Sequence, residues 1–337
     1  MEKIKKEIWE TAVLDGYGKI KFSKKPVDLD NKLIGEINSF LKIEYGPDYP
    51  YLLSNDNIGD KKLNFFIVKN EDDKIVGIAK TKIINDRYAE NGSLVVLKEC
   101  RGKKMEECEF SKKSIASMLT KLRLDFIENN NIKYIFTEPI IRDGMKSQLN
   151  SKKAGFSFYG IFLKKYPGNF NIDGVKGSIS TTYARKKINN FDEDKFRKIY
   201  LSDKYLDLAE ELIDPNSNVE FITENNNLSE EKNDDWDFVE FAVENNGLKG
   251  TRFVEINLNN PKALSLIDFF KKNGYGINAI IPDYKENKKG DYNDVIVMYN
   301  IGDVGDINWS GLQVIDNLDN LRKIMEQEYF NYKISNK

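Results

Sequence analysis

Apolar residues recur three and four positions apart in two stretches of the first half of the chain. In "DNKLIGEINSFLKIEYG" they are Leu33, Ile34, Ile37, Phe40 and Leu41; in "SIASMLTKLRLDFIENN" they are Ile115, Met118, Leu119, Leu122 and Phe126, ahead of an Asn-rich stop. That spacing predicts two amphipathic helices. Between them, "LNFFIVKN" and "KIVGIAKTKI", joined by the turn "NEDD", and then "NGSLVVLKE" have the short apolar runs of three strands. "IKYIFTEPI" predicts a fourth strand, "RDGMKSQLNSKKAG" a short helix stopping at Gly155, and "FSFYGIFLKKYP" another strand. The order is helix, three strands, helix, strand, helix, strand.

The polar, Gly-containing stretch "PGNFNIDGVKGS" has the composition of a domain boundary. Beyond it the order loosely recurs. "DKYLDLAEELI" reads as helix, "VEFITE" and "RFVEINL" as strands, and "NPKALSLIDFFKKNGYGINAIIP" repeats the helix, Gly-aromatic pair and strand of "SQLNSKKAGFSFYGIFL". Duplication of one unit is the economical explanation. "DDWDFVEFAVENNG" fits both periods, and helix is the expectation for it. The fold class expected is mixed α/β (α+β): two units, residues 1–185 and 186–337, each a mixed sheet flanked by helices, with "NLDNLRKIMEQEYF" as a closing helix.

A length of 337 residues suits about two ordinary domains, and 40% hydrophobic with 12% aromatic residues suits packed cores. Charge is high but balanced, 52 basic against 54 acidic residues, so a nucleic-acid surface is not expected. There is no histidine, which excludes imidazole triads and removes the commonest zinc ligand; no metal is expected. Two cysteines, Cys100 and Cys108, are too few for a disulfide framework, and no apolar run is long enough for a membrane span. The expectation is a soluble cytoplasmic protein without a membrane partner.

The stretch "LVVLKECRGKKMEECEFSKKSIASML", residues 94–119, runs from an apolar strand through Arg101, Gly102 and a charged segment into a helix. Strand, basic turn and helix start is an order suited to holding a phosphate. Three pieces together, "GSLVVLKECRG", "SIASMLTKLRLDFIENNNIKYI" and "SQLNSKKAGFSFYGIFL", resemble the GNAT superfamily of acyl-CoA-dependent N-acyltransferases. "EYGPDYPYLL" and "NPKALSLIDFFKKNGYGINAIIPDY" resemble a bacterial subgroup in which a GNAT domain precedes a degenerate second one.

The resemblance implies acetyl-CoA or another acyl-CoA as co-substrate and an amine, on a small molecule or a protein, as acceptor. In that superfamily Arg or Gln, two residues, Gly, one residue, and Gly or Ala close on the CoA pyrophosphate. Counted from Arg101, Lys104 and Glu106 occupy the small positions and the pattern fails. An insertion, "KKMEECEF", restores it in a shifted register: Ser114 and Ala116 become the small residues, Lys112 and Lys113 add charge, and Ser111 is the expected N-cap. An ordinary capped surface helix with solvated lysines accounts for the same residues. The backbone of Val95, Val96 and Leu97 corresponds to the strand edge that pairs with the pantetheine arm.

Acyl transfer to an amine needs a base for the ammonium proton and, less critically, an acid for the thiolate. Glu90 and Glu138, at strand ends, are the candidate bases. The family's Tyr acid falls on Ser151, so Tyr159 is considered as its substitute. Tyr45, Tyr49 and Tyr51 are candidates for an acceptor wall. Cys100 beside Arg101 is a poor nucleophile candidate without a histidine partner. Two other readings stay open: a non-catalytic CoA-binding or protein-interaction module, and an acyltransferase served by an acyl carrier protein docking on Lys103, Lys104, Lys112 and Lys113.

Overall fold

The structure is a computed structural model that describes residues 8–47, 49, 52–141, 145–172, 175–188, 195–215, 217–223, 236–245, 247–287 and 290–335. Strands β1 (Trp9–Leu14) and β2 (Gly18–Ser23) precede α1 (Asn31–Tyr45). Strands β3 (Leu63–Asn70), β4 (Ile75–Ile83), β5 (Tyr88–Val96) and the two-residue β6 (Met105–Glu106) lead to α2 (Ile115–Asn129). Then come β7 (Tyr134–Thr137), α3 (Lys146–Lys153), β8 (Ser157–Ile172) and β9 (Val175–Lys187). The second half runs β10 (Arg197–Tyr200), α4 (Leu206–Leu212), β11 (Val219–Ile222), β12 (Phe238–Asn245), β13 (Leu248–Asn257), α5 (Ala263–Lys272), β14 (Tyr275–Glu286), β15 (Tyr292–Asn300) and α6 (Asp319–Ser335).

Alternation along the strands sorts the first core into two layers. Phe65, Ile67 and Ile78 pack with Ile37, Phe40 and Leu41 of α1, while Phe66, Val68 and Ala79 pack with Met118, Leu119 and Leu122 of α2. Asp30 caps α1 by accepting from the Leu33 N–H at 2.8 Å. The two helices predicted from apolar spacing therefore cover opposite faces of one sheet.

Among the described residues, thirteen strands join in one sheet, in the order β12-β13-β15-β14-β8-β9-β7-β5-β4-β3-β2-β1-β6. Its two ends repeat a pattern. β7, α3 and the β8–β9 hairpin place β9 between β7 and β8; β13, α5 and the β14–β15 hairpin place β15 between β13 and β14. Gly155 and Gly274 both have φ of +82° at the helix exits, a conformation that favours glycine. The halves meet where β8 runs antiparallel to β14, with Gly160 opposite Ala279. Each is the fifth residue past its glycine, so equivalent positions face each other across a local two-fold axis. A Cβ at Gly160 would lie 2.4 Å from that of Ala279, which is why glycine stands there.

Two expectations are corrected, and one element is new. "DDWDFVEFAVENNG" contains strand β12, not a helix: its apolar residues have a partner in β13, with Phe241 opposite Phe253 and the rings stacked 5.3 Å apart. "PGNFNIDGVKGS" is not a linker but the β8–β9 hairpin, and Arg185, near the expected division, lies inside β9. The β1–β2 hairpin around "DGYG" was not anticipated; it extends the sheet beyond β3.

Candidate functional site

Strand β5 pairs in parallel with β7 from Tyr88–Tyr134 to Asn91–Thr137, where the Thr137 hydroxyl donates to the Asn91 carbonyl at 2.8 Å. Beyond that pair the strands part. The chain after Thr137 turns towards β9, where the Pro139 carbonyl accepts from the Thr182 N–H at 2.8 Å. β5 continues along β4 alone, with a bulge at Ser93 (φ +43°) that sets Ser93 and Leu94 against the single residue Ala79. The wedge opens into a cleft of about 580 Å³ lined by, among others, Tyr49, Glu90, Arg123, Glu138, Ser151 and Tyr166. Phe241, Val243 and Tyr284 of the second half complete its wall.

A second cavity, about 1080 Å³, runs along α2 from Lys113 and Ser117 to α3 and shares Thr120 and Asn150 with the cleft. At that junction the Asn150 side chain donates to the Thr120 hydroxyl at 3.0 Å. Lys24, Lys25, Lys113, Lys121, Lys153 and Lys186 border this groove against Glu109 and Asp125, a net positive lining. Helix α2 starts at its end. The N-cap is Ser114, accepting from Ser117, and not Ser111, because Lys112 (φ +65°) and Lys113 are held back against Met105 by backbone bonds of 2.8 and 2.9 Å. The insertion thus folds as a small excursion whose Met105 and Glu106 pair with β1. Ile115 and Ala116 keep N–H groups without intrahelical acceptors, while Ser111, Lys112 and Lys113 are exposed.

Arg101 is engaged elsewhere. Its Nε donates to the Val96 carbonyl at 2.8 Å and its Nη2 pairs with the buried carboxylate of Glu44 at the end of α1. Val95 and Val96 are buried against β4, and Leu97 is half-buried at the strand's end. Gly92–Val96 have no β7 partner on the wedge side.

Of the candidate bases, Glu138 is held on both oxygens, by Lys165 Nζ at 2.6 Å and the Tyr166 hydroxyl at 2.5 Å. Glu90 lies in the cleft with Lys80 Nζ 3.8 Å away, beyond hydrogen-bond range. Tyr159 is not among the described residues that line the cleft; its ring lies 5.2 Å from the Arg185 guanidinium. Ser151 does reach the cleft, its hydroxyl donating to the Ser147 carbonyl at 3.2 Å. Tyr45 and Tyr49 stack at 4.6 Å on the wall, with the Tyr49 hydroxyl 3.3 Å from Ser93 Oγ. Burial pushes the Tyr49 hydroxyl's pKa up. Tyr51 lies outside the described residues. Cys100 is buried, and burial raises both its pKa and that of Cys108.

Among the cleft residues that sequence reasoning missed are Asn91, Arg123 and Thr181. Arg123 was detectable as a charge four residues past Leu119, on the apolar face of its helix.

No family model and no curated protein matches the chain. Among solved structures, it is similar to the ribosomal-protein-S18-alanine N-acetyltransferase from Escherichia coli (13% identity, 52% of this chain and 99% of that one, TM-score 0.38). It is also similar to a spermidine/spermine N-acetyltransferase from Vibrio cholerae (17%, 50% and 92%, 0.37). A third is an aminoglycoside 6'-N-acetyltransferase complexed with coenzyme A (13%, 51% and 99%, 0.37). Each similarity spans about half of this chain. No described helix is long and apolar enough to cross a membrane.

Proposed function

We propose that the protein is an acyl-CoA-dependent N-acyltransferase of the GNAT type, moving an acyl group, most simply acetyl, from CoA to an amine by direct attack in a ternary complex. The observation that carries this reading is the wedge between β5 and β7, an open strand edge over Gly92–Val96, bulged at Ser93, that leads into a cleft holding a carboxylate. A pantetheine arm lies along such an edge as an added strand does. The phosphates then fall in the lysine-rich groove, over the start of α2, where the N–H groups of Ile115 and Ala116 and the side chains of Lys112 and Lys113 favour negative charge.

Glu90 takes the ammonium proton of the acceptor. The amine, held between the Tyr45–Tyr49 stack and the second half's Phe241 and Tyr284, attacks the thioester carbon; the C–N bond forms and the C–S bond breaks. The departing thiolate is a modest base, about 8.5 in pKa, so it needs no strong acid; the Ser151 hydroxyl is the α3 group in the cleft that stands at the family's acid position. Acceptors in the similar structures are named as a ribosomal-protein alanine, spermidine or spermine, and an aminoglycoside, all amines, and an amine is the class proposed here.

Calorimetric titration of acetyl-CoA into wild type and Ser114→Asp tests the reading. Asp keeps the cap but sets a carboxylate in the path of the phosphates, so affinity should fall at least about tenfold. Equal affinity in both proteins rejects the placement at α2. No binding in either rejects acyl transfer from CoA, and binding without turnover on a panel of amines leaves a non-catalytic CoA-binding module.

A further inference from the structure

Arg123 is 3% exposed and lines the cleft from α2, with no acidic partner among the described residues. Its Nη1 donates to the Gly92 carbonyl at 3.2 Å and lies 3.5 Å from that of Lys80, both long bonds for a guanidinium. Nε has no partner, and Nη2 makes no hydrogen bond among the described residues, which leaves the two-toothed edge of the fork open. An unpaired buried cation is expensive, and a Met or Leu at this position would simply join the apolar face of α2. Burial pushes the Arg123 pKa down, the direction expected when no anion stands by to hold it up.

Two other buried groups in the same cleft are also unsatisfied: Asn91 Nδ2 and the Thr181 hydroxyl. Asn91, 2% exposed, spends its oxygen on the Thr81 hydroxyl at 2.8 Å, so its amide is the group left over. Thr81 lies two residues past Ala79, which packs with α2; Asn91 and Arg123 therefore share one face of the sheet, at the point where the wedge opens. Of the ionic groups in the cleft, Glu138 is committed to Lys165 and Glu90 lies nearest Lys80, on the face of the sheet opposite Asn91 by strand alternation. The cleft thus has hydrogen-bond donors to spare and an uncompensated positive charge at its base.

We propose that the cleft binds a carboxylate, held bidentate by the Nε and Nη2 of Arg123 and backed by the amide of Asn91. The planar fork matches two carboxylate oxygens and the single charge of the guanidinium matches theirs. Resting on the acyl-transfer reading, this narrows the substrates: the carboxylate is carried either by the acyl group of the donor or by the amine acceptor.

The test is calorimetric titration of the full chain with two matched pairs, acetyl-CoA against malonyl-CoA and cadaverine against lysine, which differ by one carboxylate. Wild type should bind the acidic member of one pair about tenfold or more tighter, and which pair shows it identifies the carrier. Arg123→Met and Asn91→Asp should each remove that preference. Asn91→Asp retains an acceptor for Thr81 and places a fixed carboxylate beside the guanidinium; it decides the matter alone if circular dichroism shows Arg123→Met unfolded. Equal binding within both pairs by wild type, or a preference that survives in the folded variants, overturns the carboxylate site. If acetyl-CoA binds without any acidic preference, acyl transfer stands and this inference falls. If neither thioester binds but the lysine preference is present and is lost in the variants, the reverse holds.

Discussion

Glu90 and Glu138 read alike in sequence, as carboxylates at strand ends, and only their neighbours separate them. Both oxygens of Glu138 have donors, whereas Glu90 has a lysine beyond bonding distance and an open cleft before it. Glu90→Gln should therefore lower kcat about 100-fold or more with little change in acetyl-CoA affinity, measured by steady-state turnover beside calorimetry. A covalent route through sulfur predicts the opposite of what the thiols suggest: burial raises both pKa values, and a protonated, enclosed thiol is a weak nucleophile. The double variant Cys100→Ser, Cys108→Ser should keep full turnover, and intact-protein mass spectra of wild type with acetyl-CoA should show no acyl adduct. At this scale the sequence was legible where chemistry is local. The Tyr45–Tyr49 pair could be picked from an aromatic cluster, but that Arg101 would be claimed by Glu44, fifty-seven residues away, is decided by packing of α1 against β5 and leaves no trace in spacing.

At the scale of elements, α1 and α2 were readable because their apolar faces each bury against one side of the sheet. β12 was not, since the six residues Phe238–Val243 satisfy either period until β13 supplies a partner. The repeated helix, glycine and strand did show in sequence, through "KKAGFSFYG" and "KKNGYGINA", and its geometric outcome is the pairing of Gly160 with Ala279. That contact makes a sharp prediction. Gly160→Ala sets two Cβ atoms in conflict and should lower the urea midpoint by an amount worth about 1–3 kcal/mol. Gly160→Ala combined with Ala279→Gly exchanges the residues and should recover most of the loss, whereas additive losses would show that the close approach is not the cause.

At the scale of the molecule, the halves are tied behind the cleft by side-chain hydrogen bonds as well as by the sheet. Asp283 of β14 accepts from the Tyr134 hydroxyl at 3.0 Å and pairs with Arg197, which also lies 3.3 Å from the buried Asp294. Burial alone would raise the Asp283 pKa, but Arg197, Arg185 and the Tyr134 bond outweigh it and hold the carboxyl below its ordinary 3.8. A depressed carboxyl stabilises the fold above its unfolded value and loses that contribution as pH falls through the folded one. The stability cost of Asp283→Asn, read from urea midpoints, should thus be constant from neutral pH down to about 4 and shrink below 3.8. Among the described residues the second half shows no wedge of its own, because β12 stays paired antiparallel with β13 from Phe238–Ile256 to Asn245–Leu248. Titration should accordingly find one CoA per chain; two equivalent sites would refute the placement. The contact on the local two-fold axis carries a further implication. In a pair of identical subunits the axis residue meets its own copy, so the only choices are two alanines, which collide, or two glycines, which leave a hollow. Joining both copies in one polypeptide lifts that restriction, and this chain uses the freedom: one side contributes the methyl group and the other the space for it.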